Sequence, residues 1–265
     1  MLTAIGLGLV VGVLLALTGA GGGILAVPLL VFGAGMSVAQ AGPIGLMAVG
    51  MAAAFGAVLG LREGIVRYRA ALLIAAAGIA LSPLGLWLAH RLDKRWLGIL
   101  FAMTLLLVAT RTARRALGLG ATRADAARQP CVRDNVTGRF VWTAPCARAL
   151  ALSGGVAGLL SGLLGVGGGF VMVPALQRYT NLAMQSVVAT SLAVIALVSA
   201  GGVAASAIAG AVAWPVALPF SAGALAGMLA GRLMAARLAG PHLQLGFAIV
   251  SGAVALGMIA NSLSY

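Results

Sequence analysis

Two glycine clusters hold the residues of this chain best suited to chemistry, because they place bare backbone amides inside apolar segments. Each cluster precedes a short apolar stretch with Pro28 or Pro174 near its first turn, which predicts a helix that begins at the break. The free N–H groups and positive dipole end of such a helix attract an anion, and glycine permits its close approach. The clusters therefore predict two anion-binding helix starts: Gly19-Ala20-Gly21-Gly22-Gly23 and Gly165-Val166-Gly167-Gly168-Gly169.

Hydroxyl side chains near these breaks are the other candidate ligands, because a hydroxyl donates a hydrogen bond without adding negative charge. The alternative for each hydroxyl is an interhelical contact or a bond back to its own helix. The alternative for the clusters themselves is a kink or a packing contact, although two matching breaks favour a site. The candidate substrate-binding residues are Gly19, Gly21, Gly22, Gly23, Gly165, Gly167, Gly168, Gly169, Thr190, Ser191, Thr18 and Ser161.

Other glycines are predicted to be packing residues. Gly8 and Gly12, four residues apart, have the spacing of small residues at a close helix contact. Gly158, the counterpart of Gly12 in the second half, is predicted to be a packing residue as well. We expect valine at Gly22 or Gly168 to reduce transport sharply while the protein still inserts, and alanine at Gly12 or Gly158 to have a milder effect.

Little else in the chain could do chemistry. Its four acids, Glu63, Asp93, Asp125 and Asp134, fall in predicted loops, and its two histidines fall at segment ends. No catalytic constellation, metal site or cofactor site can be assembled from them, so an enzyme is not expected. Cys131 and Cys146 are expected to be reduced free thiols, since no histidine or further cysteine lies near them.

The elements that must position these residues are membrane segments. The chain has 265 residues, of which 62% are hydrophobic and 8% charged, which excludes a soluble domain. Alternating strands and aromatic girdles are missing from the sequence, which argues against a barrel. Eight apolar segments are predicted, and the first and fifth are long enough to contain the glycine breaks: 2–32, 42–61, 70–89, 96–110, 149–176, 187–209, 212–231 and 243–260.

An internal repeat organises the segments. An offset of 146 residues carries Pro28 onto Pro174, the first glycine cluster onto the second, and many later positions onto equivalents without a gap. The predicted fold is an all-α membrane protein of two homologous four-segment repeats, each with a glycine-broken first segment. The repeats are residues 1–110 and 149–265, joined by a basic central cytoplasmic loop, residues 111–148.

The distribution of charge favours inverted repeats. If segments one and five re-enter at their breaks, fourteen Lys/Arg residues lie on the side of the central loop and three on the other, whereas eight full crossings give eleven against six. The positive-inside rule favours the first arrangement, with Met1 and Tyr265 outside and the central loop in the cytoplasm. Two half-helices would then meet near the midplane, as in inverted-repeat transporters.

The sequence also resembles a known family. The segments Leu17-Thr18-Gly19-Ala20-Gly21-Gly22-Gly23-Ile24-Leu25-Ala26-Val27-Pro28 and Leu163-Leu164-Gly165-Val166-Gly167-Gly168-Gly169-Phe170-Val171-Met172-Val173-Pro174 look like the signature of TauE/SafE sulfite exporters. The segment Val188-Ala189-Thr190-Ser191-Leu192 resembles the family's Thr-Ser step, which the first half replaces with Pro43-Ile44-Gly45. The resemblance implies a bacterial-type inner-membrane transporter that moves sulfite, sulfonates or related small anions, usually outward.

Two functional classes remain open at this point. One is a transporter of small oxyanions, with export favoured by an interior-negative potential. The other is a non-transporting membrane subunit or assembly factor whose basic loop docks a partner. In either class the basic loop is expected to contact anionic lipids, and no nucleic-acid partner is expected because no Lys/Arg stripe with interleaved aromatics exists.

Overall fold

The computed structural model describes residues 2–18, 21–91, 94–117, 130–131, 143–164, 168–238, 249 and 251–257, and nearly all of these residues are helical. The described part of the chain contains nine named helices: α1 Leu2–Thr18, α2 Gly21–Ala34, α3 Val38–Arg62, α4 Tyr68–Arg91, α5 Lys94–Ala116, α6 Ala144–Leu164, α7 Gly169–Tyr179, α8 Met184–Ile208 and α9 Trp214–Leu238. Residues 251–257 are helical too. Helices α5 and α6 extend into the ends of the region that the sequence assigned to the central loop.

Five helices of the described part are long and apolar enough to cross a membrane: α3, α4, α6, α8 and α9. Helices α1 and α2 are apolar but shorter. A run of about 20 apolar residues matches the hydrocarbon thickness of a bilayer. The protein is therefore a multi-pass α-helical membrane protein.

The long first and fifth apolar segments are each divided into two helices that fold back on one another. In the first hairpin, a Cβ placed at Gly22 would lie 2.7 Å from Leu15 Cβ, and one at Gly33 would lie 2.7 Å from Leu7 Cδ1, so α2 runs back along α1. In the second hairpin, the start of α7 lies beside the middle of α6, because a Cβ at Gly168 would lie 2.5 Å from the Ala157 carbonyl oxygen.

The first helix of each hairpin packs against a helix from the other half of the chain. Helix α1 runs parallel to α9, since Gly8 lies against Ala224 and Gly12 against Met228. A Cβ at Gly12 would be only 2.7 Å from the Met228 backbone nitrogen. Such close backbone contact requires glycine, which is how small residues drive helix association in membranes.

Helix α6 packs against α4 in the same manner. A Cβ at Gly154 would lie 2.9 Å from the Ile74 Cα, and one at Gly158 would lie 2.5 Å from the carbonyl carbon of Gly78. Residue numbers increase in the same direction on both helices from the first contact to the second, so α4 and α6 are parallel. The predicted packing role of Gly158 is confirmed, as is that of Gly8 and Gly12.

Helices α3 and α8 cross at the centre of the bundle and run in opposite directions. Positions further along α3 contact positions nearer the start of α8, and the distances from a Cβ placed on each glycine to the partner side chain are short: Gly50 to Ser199 2.7 Å, Gly56 to Leu192 2.9 Å and Gly60 to Ala189 2.9 Å. Gly50 is the middle residue of α3, so this crossing lies midway through the bundle.

We use the term basic face for the end of the bundle at which α3 and α7 end and α4 and α6 begin. It carries Arg62, Arg67, Arg69, Arg148 and Arg178. The opposite face is the end at which α3 and α9 begin and α4 ends.

The expectation of free cysteines is wrong, because Cys131 and Cys146 form a disulfide with their Cα atoms 4.9 Å apart. Both residues are fully buried. The Cys131 backbone N–H donates to the Tyr179 carbonyl at 3.1 Å, so Cys131 is tied to the start of α6 by the bridge and to the end of α7 by this hydrogen bond. Sequence pattern could not place Cys131 beside α7, since Tyr179 lies more than thirty residues from either cysteine in the chain.

The two prolines lie deeper in their helices than the first turn that the sequence suggested. Pro28 is the eighth residue of α2 and Pro174 the sixth residue of α7. A proline there cannot donate to the carbonyl four residues earlier, at Ile24 or Phe170, so each half-helix lacks one internal hydrogen bond. The cost is tolerated where the helix is packed inside protein, and Pro28 is buried.

Candidate functional site

The two predicted helix starts are present in the structure. Helix α2 begins at Gly21, with Gly22 and Gly23 in its first turn, and α7 begins at Gly169. Gly168 is the residue before α7 and has a left-handed backbone with φ of +62°, which glycine adopts without strain. Gly19, Gly165 and Gly167 lie outside the described residues, and so does the side chain of Thr18.

The described glycines are packed against their own hairpins. Gly22 lies on Val11 and Leu15 of α1, and Gly168 lies on Ala157 of α6. Substitution by valine at either position would therefore push the half-helix away from its hairpin partner. The valine test that the sequence suggested no longer separates a binding role from a packing role.

The start of α2 is level with the middle of α3. A Cβ at Gly45 of α3 would lie 3.5 Å from the side chains of Ala26 and Val27 on α2. The short connection between α2 and α3 makes them antiparallel, so four residues back along α2 correspond to four residues forward along α3. Gly22 is therefore level with the residue before Gly50, at the central crossing of α3 and α8.

The start of α7 is close to the same level. Gly168 lies beside Ala157, and the next residue of α6, Gly158, contacts Gly78 of α4. A Cβ at Gly78 would in turn lie 3.2 Å from Val198 Cγ2 on α8. Val198 adjoins Ser199 at the central crossing, and α2 and α7 also contact each other directly. Both helix starts thus lie about midway between the two faces.

Of the hydroxyls proposed from the sequence, the three whose side chains the structure describes are buried. Thr190 is fully buried and its Oγ1 accepts a hydrogen bond from the Arg67 backbone N–H at 3.1 Å. The Ser191 hydroxyl donates to the Val188 carbonyl at 2.8 Å, which is the back-bonded alternative. Ser161 is buried on α6. The structure brings Thr190 and Ser191 closer to the basic face than to the central crossing.

Ser199 is the residue at the central crossing that sequence reasoning missed. Its side chain is fully buried, and its hydroxyl has no hydrogen-bond partner among the described residues. The same holds for Ser221 on α9 and for Ser251. A buried hydroxyl without a partner costs free energy, and such groups in a native structure call for an explanation such as a ligand or a water molecule.

Cationic and acidic groups of the described residues are confined to the ends of the bundle. Glu63, at the end of α3, forms an ion pair with Arg232 of α9. The other three acids lie outside the described residues, and within the described part no group of His, Cys, Asp and Glu could hold a metal ion. The centre of the bundle therefore offers hydroxyls and backbone amides, which can donate to an anion, and no described carboxylate to repel it.

Comparisons with known proteins find one family model and a curated relative. Residues 4–258 match the family model described as sulfite exporter TauE/SafE. A curated protein of Xylella fastidiosa (strain 9a5c), named "Probable membrane transporter protein", is 30% identical over 195 residues, covering 72% of this chain and 68% of that protein. No solved structure matches the chain.

Proposed function

The chain belongs to the sulfite exporter TauE/SafE family and is a membrane transporter, and on this premise we propose that it exports a small oxyanion, sulfite or an organosulfonate, across a bacterial-type inner membrane. The family match covers residues 4–258, which is nearly the whole chain. The non-transporting subunit that the sequence left open has no supporting observation of its own.

The proposed architecture is a pair of inverted repeats, and the first support is that contacts exchange between the halves. Gly154 is in contact with Ile74. Subtracting 146 from the first number and adding 146 to the second gives Gly8 and Phe220, and these two residues are also in contact. The same operation converts the pair Gly56 and Leu192 into the pair Gly202 and Leu46. A Cβ placed on the glycine would lie 2.9 Å from the leucine Cδ1 in the first pair and 3.1 Å from it in the second.

The second support is the direction of the central helices. Under the 146-residue offset α3 and α8 are equivalent, and they run antiparallel. Equivalent helices related by an axis along the membrane normal would be parallel, so antiparallel equivalents favour an axis in the membrane plane. This is the symmetry of inverted-repeat transporters, whose substrate sites lie at the midplane between broken helices.

The observation that carries the proposed site is the Ser199 hydroxyl, which is buried without a described partner at the level where both half-helices begin. Positive helix ends and a hydroxyl donor together suit an oxyanion. An anion bound there would satisfy Ser199 and the first amides of α2 and α7. The Thr190 and Ser191 contacts described above would then support the surrounding helices.

The proposed direction follows from the membrane potential. Moving one elementary charge through 100 mV is worth about 2.3 kcal/mol, and an interior-negative potential drives an anion outward. Export therefore needs no coupling carboxylate at membrane depth, in keeping with the position of Glu63 at the basic face.

Flux in proteoliposomes tests the proposal. The wild type should transport sulfite or an organosulfonate, and Ser199→Ala should weaken apparent affinity by about 10- to 100-fold, the value of one hydrogen bond to a charged group. Ser153→Ala is the matched control, because Ser153 is also buried in a membrane helix but donates to its own helix at Ala149. Wild-type vesicles that move neither substrate would refute the function, and unchanged affinity in Ser199→Ala would refute the site.

A further inference from the structure

Ser221 of α9 is a second buried serine, and the proposed site does not yet account for it. Its side chain is almost fully buried, and its hydroxyl has no hydrogen-bond partner among the described residues. A serine inside a helix can donate to the carbonyl four residues earlier, as Ser153 does to Ala149. Ser221 makes no such bond to Ala217, so its hydroxyl is left for a group outside its own helix.

Helix register places Ser221 beside the middle of α3. Helices α3 and α9 begin at the same face and run parallel, and Gly56 of α3 lies against Met228 of α9. Seven residues make almost two full turns, so the positions seven residues earlier lie on the same side of each helix. Those positions are Val49 and Ser221. Ser221 is therefore level with the residue before Gly50.

Ser199 of α8 lies at the same level on the other side of this contact. Helix α8 runs antiparallel to α3, with Leu192 against Gly56 and Ser199 against Gly50. Side chains from α8 and α9 thus meet over Gly56, and the two serines are the corresponding residues two turns away. Ser199 lies nine residues, about 14 Å, before the end of α8, and Ser221 lies seven residues, about 11 Å, after the start of α9. The two hydroxyls are at nearly equal depth.

Both serines belong to the second half of the chain. The offset of 146 residues carries Ser199 onto Ala53 and Ser221 onto Ala75, and both alanines are buried. The first half therefore offers only apolar surface at the equivalent positions. A buried hydroxyl without a partner costs free energy, and two of them at one depth call for a shared explanation.

We propose that Ser221 is a second hydroxyl donor to the substrate anion, which is held between Ser199 of α8 and Ser221 of α9. This inference rests on the proposed function. Sulfite and a sulfo group each present three oxygens, so two can accept from the hydroxyls while the third accepts from the amides of a helix start. Hydrogen bonds to a charged acceptor are the stronger kind, so each serine contributes to affinity without carrying charge itself.

Sulfite flux in proteoliposomes and thermal unfolding of the purified protein in detergent test the inference together. Ser221→Ala should raise the KM for sulfite about 10- to 100-fold, the value of one hydrogen bond to a charged group. Without sulfite the variant should unfold at or above the wild-type temperature, because it loses a buried hydroxyl that has no described partner. Added sulfite should then raise its unfolding temperature less than that of the wild type. A lower unfolding temperature without sulfite, together with an unchanged KM, would show a structural role and overturn the inference.

Two further variants keep the test decisive. Ser221→Cys preserves the volume of the side chain, but a thiol is a weak donor, so its KM should rise as in the alanine variant. Ser153→Ala removes a hydroxyl that is bonded within its own helix and should leave the KM unchanged. A wild-type KM in Ser221→Ala or Ser221→Cys, or an equal rise in Ser153→Ala, would overturn the inference even where Ser199→Ala supports the proposed site. Absence of sulfite and sulfonate flux in the wild type would instead refute the proposed function.

Discussion

Replacing Gly12 with alanine tests the packing of α1 on α9 directly. The new Cβ would lie 2.7 Å from the Met228 nitrogen and 2.8 Å from the Ala224 carbonyl carbon, whereas ordinary contacts begin at 3.4 Å. Both neighbours are backbone atoms, so the two helices must separate by more than half an ångström along their shared seam. The mild effect that the sequence suggested for this change is therefore no longer expected.

The size of the effect follows from two opposing terms. Overpacking a well-packed contact costs about 1–3 kcal/mol, and contact with rigid backbone places Gly12 at the upper end of that range. Alanine regains about 1 kcal/mol of helix propensity over glycine. The net destabilisation is about 2 kcal/mol, or a fall in melting temperature of roughly 4–8 °C.

Thermal unfolding of the purified protein in detergent measures this effect, and Gly6→Ala is the matched control. Gly6 lies on the same helix, but a Cβ placed there would meet nothing within 4 Å. The control should melt at or above the wild-type temperature, because it gains helix propensity without a clash. Equal melting temperatures for the two variants would show that α1 does not pack on α9 in this register.

Three further predictions concern the topology and the central loop. Reporter fusions should place Tyr265 outside and the central loop in the cytoplasm, and a cytoplasmic signal at both sites would remove inversion. Shortening the central loop within residues 121–129 should leave transport largely intact, since those positions have no counterpart in the proposed repeats, whereas loss of flux in a correctly inserted variant would favour a docking role for the loop. Cys146→Ser should lower the free energy of unfolding by about 3 kcal/mol through loss of a 15-residue loop closure, with the double cysteine variant behaving alike.

Sequence was sufficient to predict the helical class and the two helix breaks, because each depends on local composition. Apolar runs of spanning length and clustered glycines leave few alternatives in a bilayer. The packing of α1 on α9 and of α6 on α4 was not predictable. Spacing such as that of Gly8 and Gly12 shows that a helix has a close partner. Hydrophobicity does not select that partner inside a bilayer, because lipid tails solvate every apolar helix equally well. The partner's identity therefore depends on the three-dimensional arrangement.

The candidate site was predicted only in part for a similar reason. The positions of Gly22 and Gly168 were correct as helix starts, but their contacts with the preceding helix were hidden. Ser199 and Ser153 look equivalent in sequence, since each is a lone serine among small and apolar residues. Only the structure distinguishes them, because one hydroxyl donates to its own helix and the other has no described partner.

Two signals at the basic face disagree about its compartment. Positive-inside bias assigns fourteen of the 17 Lys/Arg residues to the side of the central loop, and the bias survives without that loop at six against three, which favours the cytoplasm. A disulfide favours an oxidising compartment, but cytosolic disulfides do form transiently in redox-sensing proteins. Charge carries more weight, because it sums over several loops while the disulfide is one bond.

We therefore expect the Cys131–Cys146 disulfide, which fastens the end of α7 to the start of α6, to be reversible, so that its oxidised fraction follows the redox state of the compartment. Trapping thiols in intact cells with a permeant maleimide, followed by a mass-tagged maleimide after reduction, measures the oxidised fraction. A low fraction that rises with a mild oxidant fits a cytoplasmic basic face. A fully oxidised pair in unstressed cells, together with a central-loop reporter active outside, would reverse the assigned orientation and make the basic face the exit side for the substrate.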